Sequence, residues 1–131
     1  MKNLSCWVFA ASIICLPTIG IASTLSDCNA VASKLNEQTP MRVDKLTTWK
    51  TTICISAPTG VRLLYVYFID VASGQVTQAN LNTLRAGQLK SWCSNPDQRK
   101  LIDLVDIEYQ YLDNDSGYIG VLDYQHSMCS L

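Results

Sequence analysis

Polar and apolar positions along the chain fall into blocks of different period. Lys2 precedes an apolar run from Leu4 to about Ile19, interrupted only by Ser5, Ser12, Pro17 and Thr18. The run ends in Gly20-Ile21-Ala22-Ser23, which puts small residues at the −3 and −1 positions of a cut after Ala22. A positive start, an apolar middle and a small-residue end make a secretory signal peptide, so residues 1–22 read as a removable signal. The run is short and broken for a bilayer span, which takes about 20 apolar residues, so no membrane anchor is expected after cleavage. Ile14 stands before Cys15, where a lipoprotein signal would carry a small residue.

Past the cut, Ser26-Asp27 supplies a cap and a first-turn acid, and Cys28, Val31 and Leu35 recur at helical spacing. A helix is expected over 26–37, ending before Pro40 because the residue ahead of a proline avoids the α region. From Thr47 to Ser56 the period becomes two. Trp49, Ile53 and Ile55 fall on one face of a strand rich in β-branched residues, and Cys54 falls on the other. Ala57-Pro58-Thr59-Gly60 is a turn. Val61 to Ile69 is apolar on both faces, the mark of a central strand. Leu81, Leu84, Leu89 and Trp92 then share a helical face. Asn95-Pro96-Asp97 restarts a helix that runs to about Asp103. Val105, Ile107, Tyr109 and Tyr111 alternate with polar residues, Asp113 to Gly117 turns the chain, and Tyr118 to Tyr124 returns. The order α-β-β-α-β-β predicts one α+β domain over 23–131, a four-stranded antiparallel sheet with helices on one face. Tyr65-Val66-Tyr67 and Tyr109-Gln110-Tyr111 echo one another. The echo reads either as a duplicated hairpin or as tyrosines chosen twice for cross-strand packing.

Without the signal, nine basic and eleven acidic side chains remain, with no basic stripe, so nucleic acid is not an expected partner. The remaining cysteines, Cys28, Cys54, Cys93 and Cys129, are even in number, and four allow three connectivities. Zinc is disfavoured, because none of them forms a C-x-x-C pair and the one histidine is His126. Two disulfides are expected, and packing favours Cys28–Cys54 (first helix to first strand) with Cys93–Cys129 (middle helix to the end of the last strand).

Candidate chemistry is sparse, and no cofactor or metal is expected. A Ser–His–acid triad could use only His126, and no G-x-S-x-G elbow accompanies it. Asp103, Asp106 and Glu108 lie close together, but glycosidases draw their carboxylates from separate elements across a cleft. Asp113-x-Asp115-x-Gly117 fails as a calcium loop, having Gly117 fifth, Tyr118 sixth and Tyr124 twelfth. What remains is apolar surface. The Leu64, Val66 and Phe68 side of the central strand lies on the sheet face that has no helices, which makes it a candidate interface for self-association or a protein partner.

One pattern spans about two thirds of the mature chain. It runs from Cys93 after a helix through Pro96, the strand tyrosines Tyr109 and Tyr111, and the turn Asp113, Asp115 and Gly117, to Cys129. Tyr65 and Tyr67 of the first hairpin also fit. In these features the chain resembles the quorum-sensing-regulated virulence factor family of small exported bacterial proteins, although Leu104-Val105 stands where that family often has a glycine. The resemblance implies a periplasmic or secreted protein with a role in virulence, and it carries over no catalytic residue. The expectation is therefore a non-enzymatic binding protein. The alternative is a small cell-envelope hydrolase or hydrolase inhibitor.

Overall fold

The computed structural model describes the backbone of residues 4–9 and 12–17 and, with side chains, residues 25–58 and 60–130. Strands β1 (Leu4–Phe9) and β2 (Ser12–Pro17) pair with each other in a sheet of their own. The expected cleavage position after Ala22 lies outside the described residues.

Helix α1 (Leu25–Asn36) starts one residue earlier than expected, which places Ser26 in the first turn. It buries Cys28, Val31, Ala32 and Leu35, one stripe at helical spacing. The main sheet has the order β3 (Met41–Arg42), β4 (Thr47–Ala57), β5 (Gly60–Ile69), β6 (Asp106–Leu112), β7 (Tyr118–Tyr124). The α+β class is as read, but the four-stranded antiparallel sheet is corrected on two points. A two-residue strand, β3, adds a fifth member. And β5 pairs with β6 in parallel. The segment between them holds α2 (Gln78–Asn82), α3 (Arg85–Ser94) and α4 (Pro96–Ile102). A connection of that length carries the chain back to the start of β5, the crossover that parallel pairing requires. The two Y-x-Y segments thereby become neighbours in register, Tyr65 beside Tyr109 and Tyr67 beside Tyr111.

The faces of β4 are a second correction. The register slips between Trp49 and Thr51. This bulge inserts one residue and reverses the alternation beyond it. Trp49 is buried, but the core face then continues through Thr52 and Cys54, while Ile53 and Ile55 are turned outward and exposed. The expected single middle helix is also divided, at Thr83-Leu84. The division lets Leu81 of α2 pack by β7 while Trp92 of α3 covers the tyrosines. Helix α4 begins as expected: the Asn95 side chain accepts from the Asp97 and Gln98 amides at 3.0 and 3.2 Å, with Pro96 in the first position. In the β6–β7 turn the buried Asp113 accepts from the amides of Asp115 and Gly117 at 2.9 and 2.8 Å. A Cβ at Gly117 would fall 2.6 Å from the same carboxylate, which is why glycine occupies that place.

Cys28 is joined to Cys54 and Cys93 to Cys129, the pairing the sequence favours. Each disulfide closes a segment of the unfolded chain, over separations of 26 and 36 residues. Loop-closure entropy for such lengths is worth about 3 to 4 kcal/mol per bridge. A Cys93→Ser/Cys129→Ser variant is expected to lose about that much in urea unfolding. A loss below about 1 kcal/mol would show that the bridge constrains little of the unfolded chain.

Candidate functional site

Along β5 and β6 four of the inward positions, between Leu63 and Ile69 and after Ile107, are tyrosines, and their rings form a continuous layer under the helices. Tyr65 lies 5.2 Å from Tyr109 and 5.6 Å from Trp49 between centroids. Tyr67 stacks on Tyr111 at 5.4 Å, and Tyr109 meets Tyr124 edge-on at 5.7 Å. Burying a phenol strands its hydroxyl unless a partner is supplied. Helix α3 supplies two such partners. Trp92 donates its indole N–H to the Tyr109 hydroxyl at 2.8 Å. Gln88, about one turn earlier, accepts from the Tyr124 hydroxyl through its carbonyl and donates to the Tyr111 hydroxyl at 3.1 Å.

At one end the layer opens into a cleft of about 310 Å³ between the sheet, α3 and the β3–β4 loop. Tyr67 and Tyr111 lie in its lining, with Val43 and Leu84 beside them. Those two are exposed at 46% and 44%, an apolar pair left in water at the cleft. The loop that carries Val43 is held by its own bonds. The Val43 amide donates to the Thr47 carbonyl at 3.0 Å, and Asp44 accepts from the Leu46 and Thr47 amides at 2.8 Å each. The Leu46 amide bond, with that of Thr47 and the charge of Arg42, holds the Asp44 carboxyl below its ordinary range against a small opposing effect of burial. Burial first, and neighbouring phenols second, push Tyr65, Tyr67 and Tyr109 above the ordinary phenol range. Burial also raises Tyr111 and Tyr124. At neutral pH the layer is thus a set of neutral hydroxyls beside one ionised carboxylate. It is suited to holding a side chain and poorly suited to moving a proton.

The residues singled out in the sequence lie elsewhere. His126 lies in a 3-10 turn (His126–Ser130), exposed, with Nδ1 against the Asp103 carboxylate. Asp103 also takes the Arg99 guanidinium at 3.1 Å. Glu108 and Asp106 are on the helix-free face of β6, where Glu108 pairs with Arg62 at 2.8 Å. No group of three or more metal-ligating side chains occurs among the described residues. Val66 is 9% exposed, and Leu64 and Phe68 are half-buried on the same helix-free face. Lys50 lies over the Phe68 ring at 4.9 Å. Sequence reasoning missed Val43, Asp44 and Gln88 and placed Leu84 on a buried helical face. The available signal was apolar Met41, Val43 and Leu46 scattered in an otherwise polar stretch, where burial has no periodicity to explain them.

No protein-family model and no curated protein matches the sequence. Solved structures do share the fold. A Pseudomonas aeruginosa protein described as secreted superposes with a TM-score of 0.68 at 15% identity, over 80% of this chain and 91% of its own. The pilotin EpsS of the Vibrio vulnificus type 2 secretion system gives 0.62 at 9% identity, over 80% and 90%. The type II secretion system pilotin AspS of Vibrio cholerae gives 0.54 at 13%, over 78% and 88%. At these identities the likeness is one of fold.

The raised phenols fix a pH dependence. A phenol that ionises less readily when folded binds more protons in the native state above the unfolded value near 10, so stability falls as pH rises from there. Unfolding free energy is expected to be unaffected by these groups through neutral pH and to drop above pH 10. Most of the tyrosinate absorbance should appear together with the loss of Trp92 burial. Full ionisation of all tyrosines in a still-folded protein would contradict the buried layer.

Proposed function

We propose that this chain is an exported, non-enzymatic protein that holds a protein partner in the bacterial envelope, in a role like that of a type II secretion pilotin. The observation that carries this is the cleft. A half-open space beside aromatic rings, with apolar side chains exposed next to it and no nucleophile–base pair within it, is built to receive a side chain. The fold shared with two pilotins and with a protein described as secreted supports the same reading. So do two disulfides, which need an oxidising compartment. In this reading residues 1–22 are the export signal of a single domain over 23–131, and a periplasmic or secreted location follows. The family resemblance adds a role in virulence.

A second surface has its own support. On the helix-free face Ile53 is 45% exposed and Ile55 37% exposed, and Ile53 pairs with Leu64 across β4 and β5. These residues extend the Leu64, Val66 and Phe68 side into a patch that a second copy or a partner would cover. The hydrolase alternative lacks such support, since His126, Asp106 and Glu108 are not brought together in the cleft.

The test is made in the native host. Deleting the gene is expected to lower the amount of type II cargo in the medium, and the wild-type gene to restore it. A Val43→Glu/Leu84→Glu variant should fold and be exported yet fail to restore secretion. An Ile53→Glu/Leu64→Glu variant that fails instead would move the partner to the sheet face. Unchanged secretion after deletion would overturn the pilotin role. N-terminal sequencing of the exported protein should begin at Ser23, and a start at Met1 would overturn the signal.

A further inference from the structure

A sheet in a small exported domain ends in two edges, and an exposed edge is a template for another strand. Here β7 is one edge. The other is divided. β3 pairs only with Thr48 and Trp49, so from Thr51 to Ala57 β4 has no strand on that side among the described residues. The usual means of blunting an edge are prolines and charges along the strand. Here the edges are almost bare of them. Residues 51–57 read TTICISA, with no charge and no proline. In β7 the only charge is Asp123.

Both edges are instead closed by one carboxamide each. On β4, the Thr52 amide donates to Asn36 Oδ1 at 2.7 Å, and Asn36 Nδ2 donates to the Thr52 carbonyl at 2.8 Å. On β7, the Val121 amide donates to Gln78 Oε1 at 2.9 Å, and Gln78 Nε2 donates to the Val121 carbonyl at 2.7 Å. Each side-chain amide presents one acceptor and one donor, the pair that an incoming strand would present. Arg85 adds a second closure by donating to the Asp123 carbonyl at 2.8 Å. The backbone is shaped for this arrangement. A Cβ at Gly120 would fall 2.1 Å from Gln78 Oε1, so a side chain there would push the carboxamide off the strand. Asn36 is the last residue of α1, and Gln78 the first of α2, which brings both to the edges they close.

We propose that Asn36 and Gln78 act as surrogate strands that keep a second copy of this chain from adding to the sheet through β4 or β7. A second copy is the occupant that the pattern resists. An edge paired antiparallel with itself about a two-fold axis is self-complementary, and TTICISA offers no charge to repel its twin. The inference is independent of the cleft and of the partner held there.

The test uses the mature chain with both disulfides formed. In wild type the Thr52 and Val121 amides should be protected from hydrogen exchange. In Asn36→Ala and Gln78→Ala the corresponding amide should exchange about tenfold faster. Gly120→Ala should release Val121 in the same way by displacing the Gln78 carboxamide, its methyl also pressing on Leu81 Cδ1 at 3.1 Å. Asn36→Asp and Gln78→Glu keep the acceptor and lose the donor, so exchange should fall in between. In sedimentation velocity the double Asn36→Ala/Gln78→Ala variant should shift to a larger species than wild type at equal concentration. Unchanged exchange in the alanine variants and in Gly120→Ala would overturn the surrogate pairing. Fast exchange with no increase in mass would overturn the role against a second copy.

Discussion

The parallel seam between β5 and β6 sets the constraint from which the rest of the domain follows. Parallel neighbours need a long crossover, and a crossover over one face brings α2, α3 and α4 down on that face together. The seam aligns Tyr65 with Tyr109 and Tyr67 with Tyr111, so the surface the helices meet is aromatic and carries hydroxyls. Aliphatic residues alone would leave those hydroxyls without partners, and each buried unsatisfied one would cost about 1 to 3 kcal/mol. Trp92 and Gln88 on α3 meet that demand. A helix that must present an indole N–H and a carboxamide to the sheet cannot also seal it along its whole length with apolar side chains. The cleft lies along these partners, with Gln88 and Trp92 in its lining.

Much of this was legible in the chain. Period-two alternation located β6, the doubly apolar run located β5, and Asn95-Pro96-Asp97 marked the start of α4, because each signal is local. The disulfide pairing was one of three that four cysteines allow, favoured by packing α1 on β4. The expected place of Cys129 on the last strand was off, since it lies in the 3-10 turn that follows β7. The parallel seam was not legible, since alternation says which side of a strand is wet and nothing about which strand lies beside it. The bulge after Trp49 was not either. One inserted residue exchanges the faces of everything beyond it, and TTWKTTICIS reads equally well in both registers. Ile53 and Ile55 became surface for that reason, and Cys54 was turned toward α1. The site was hidden for a related reason. Val43 and Leu84 are apolar residues that stay exposed, which a pattern reading treats as core or ignores. Asn36, Gln78 and Gln88 are polar residues in polar segments, distinguished only by what they touch.

The placement of covalent and non-covalent ties bears on how such a domain can bind. Cys28–Cys54 fastens α1 to β4, and Cys93–Cys129 fastens the end of α3 to the C-terminal turn. Neither bridge reaches the β3–β4 loop or the α2–α3 junction, which carry Val43 and Leu84. Those elements are ordered locally instead. Asp44 gathers the Leu46 and Thr47 amides, and Thr77 and Asn80 form a capping box that starts α2. A loop ordered by its own hydrogen bonds loses less entropy on binding than one that must be ordered by the partner, so more of the contact energy remains as affinity. Exposed apolar residues gather here, at Met41, Val43, Leu46 and Leu84, and on the helix-free face at Ile53 and Ile55, with Leu25 and Tyr118 standing apart. With the strand edges closed by carboxamides, side-chain surfaces are left as the available means of association, and those can be selective in a way that backbone pairing cannot.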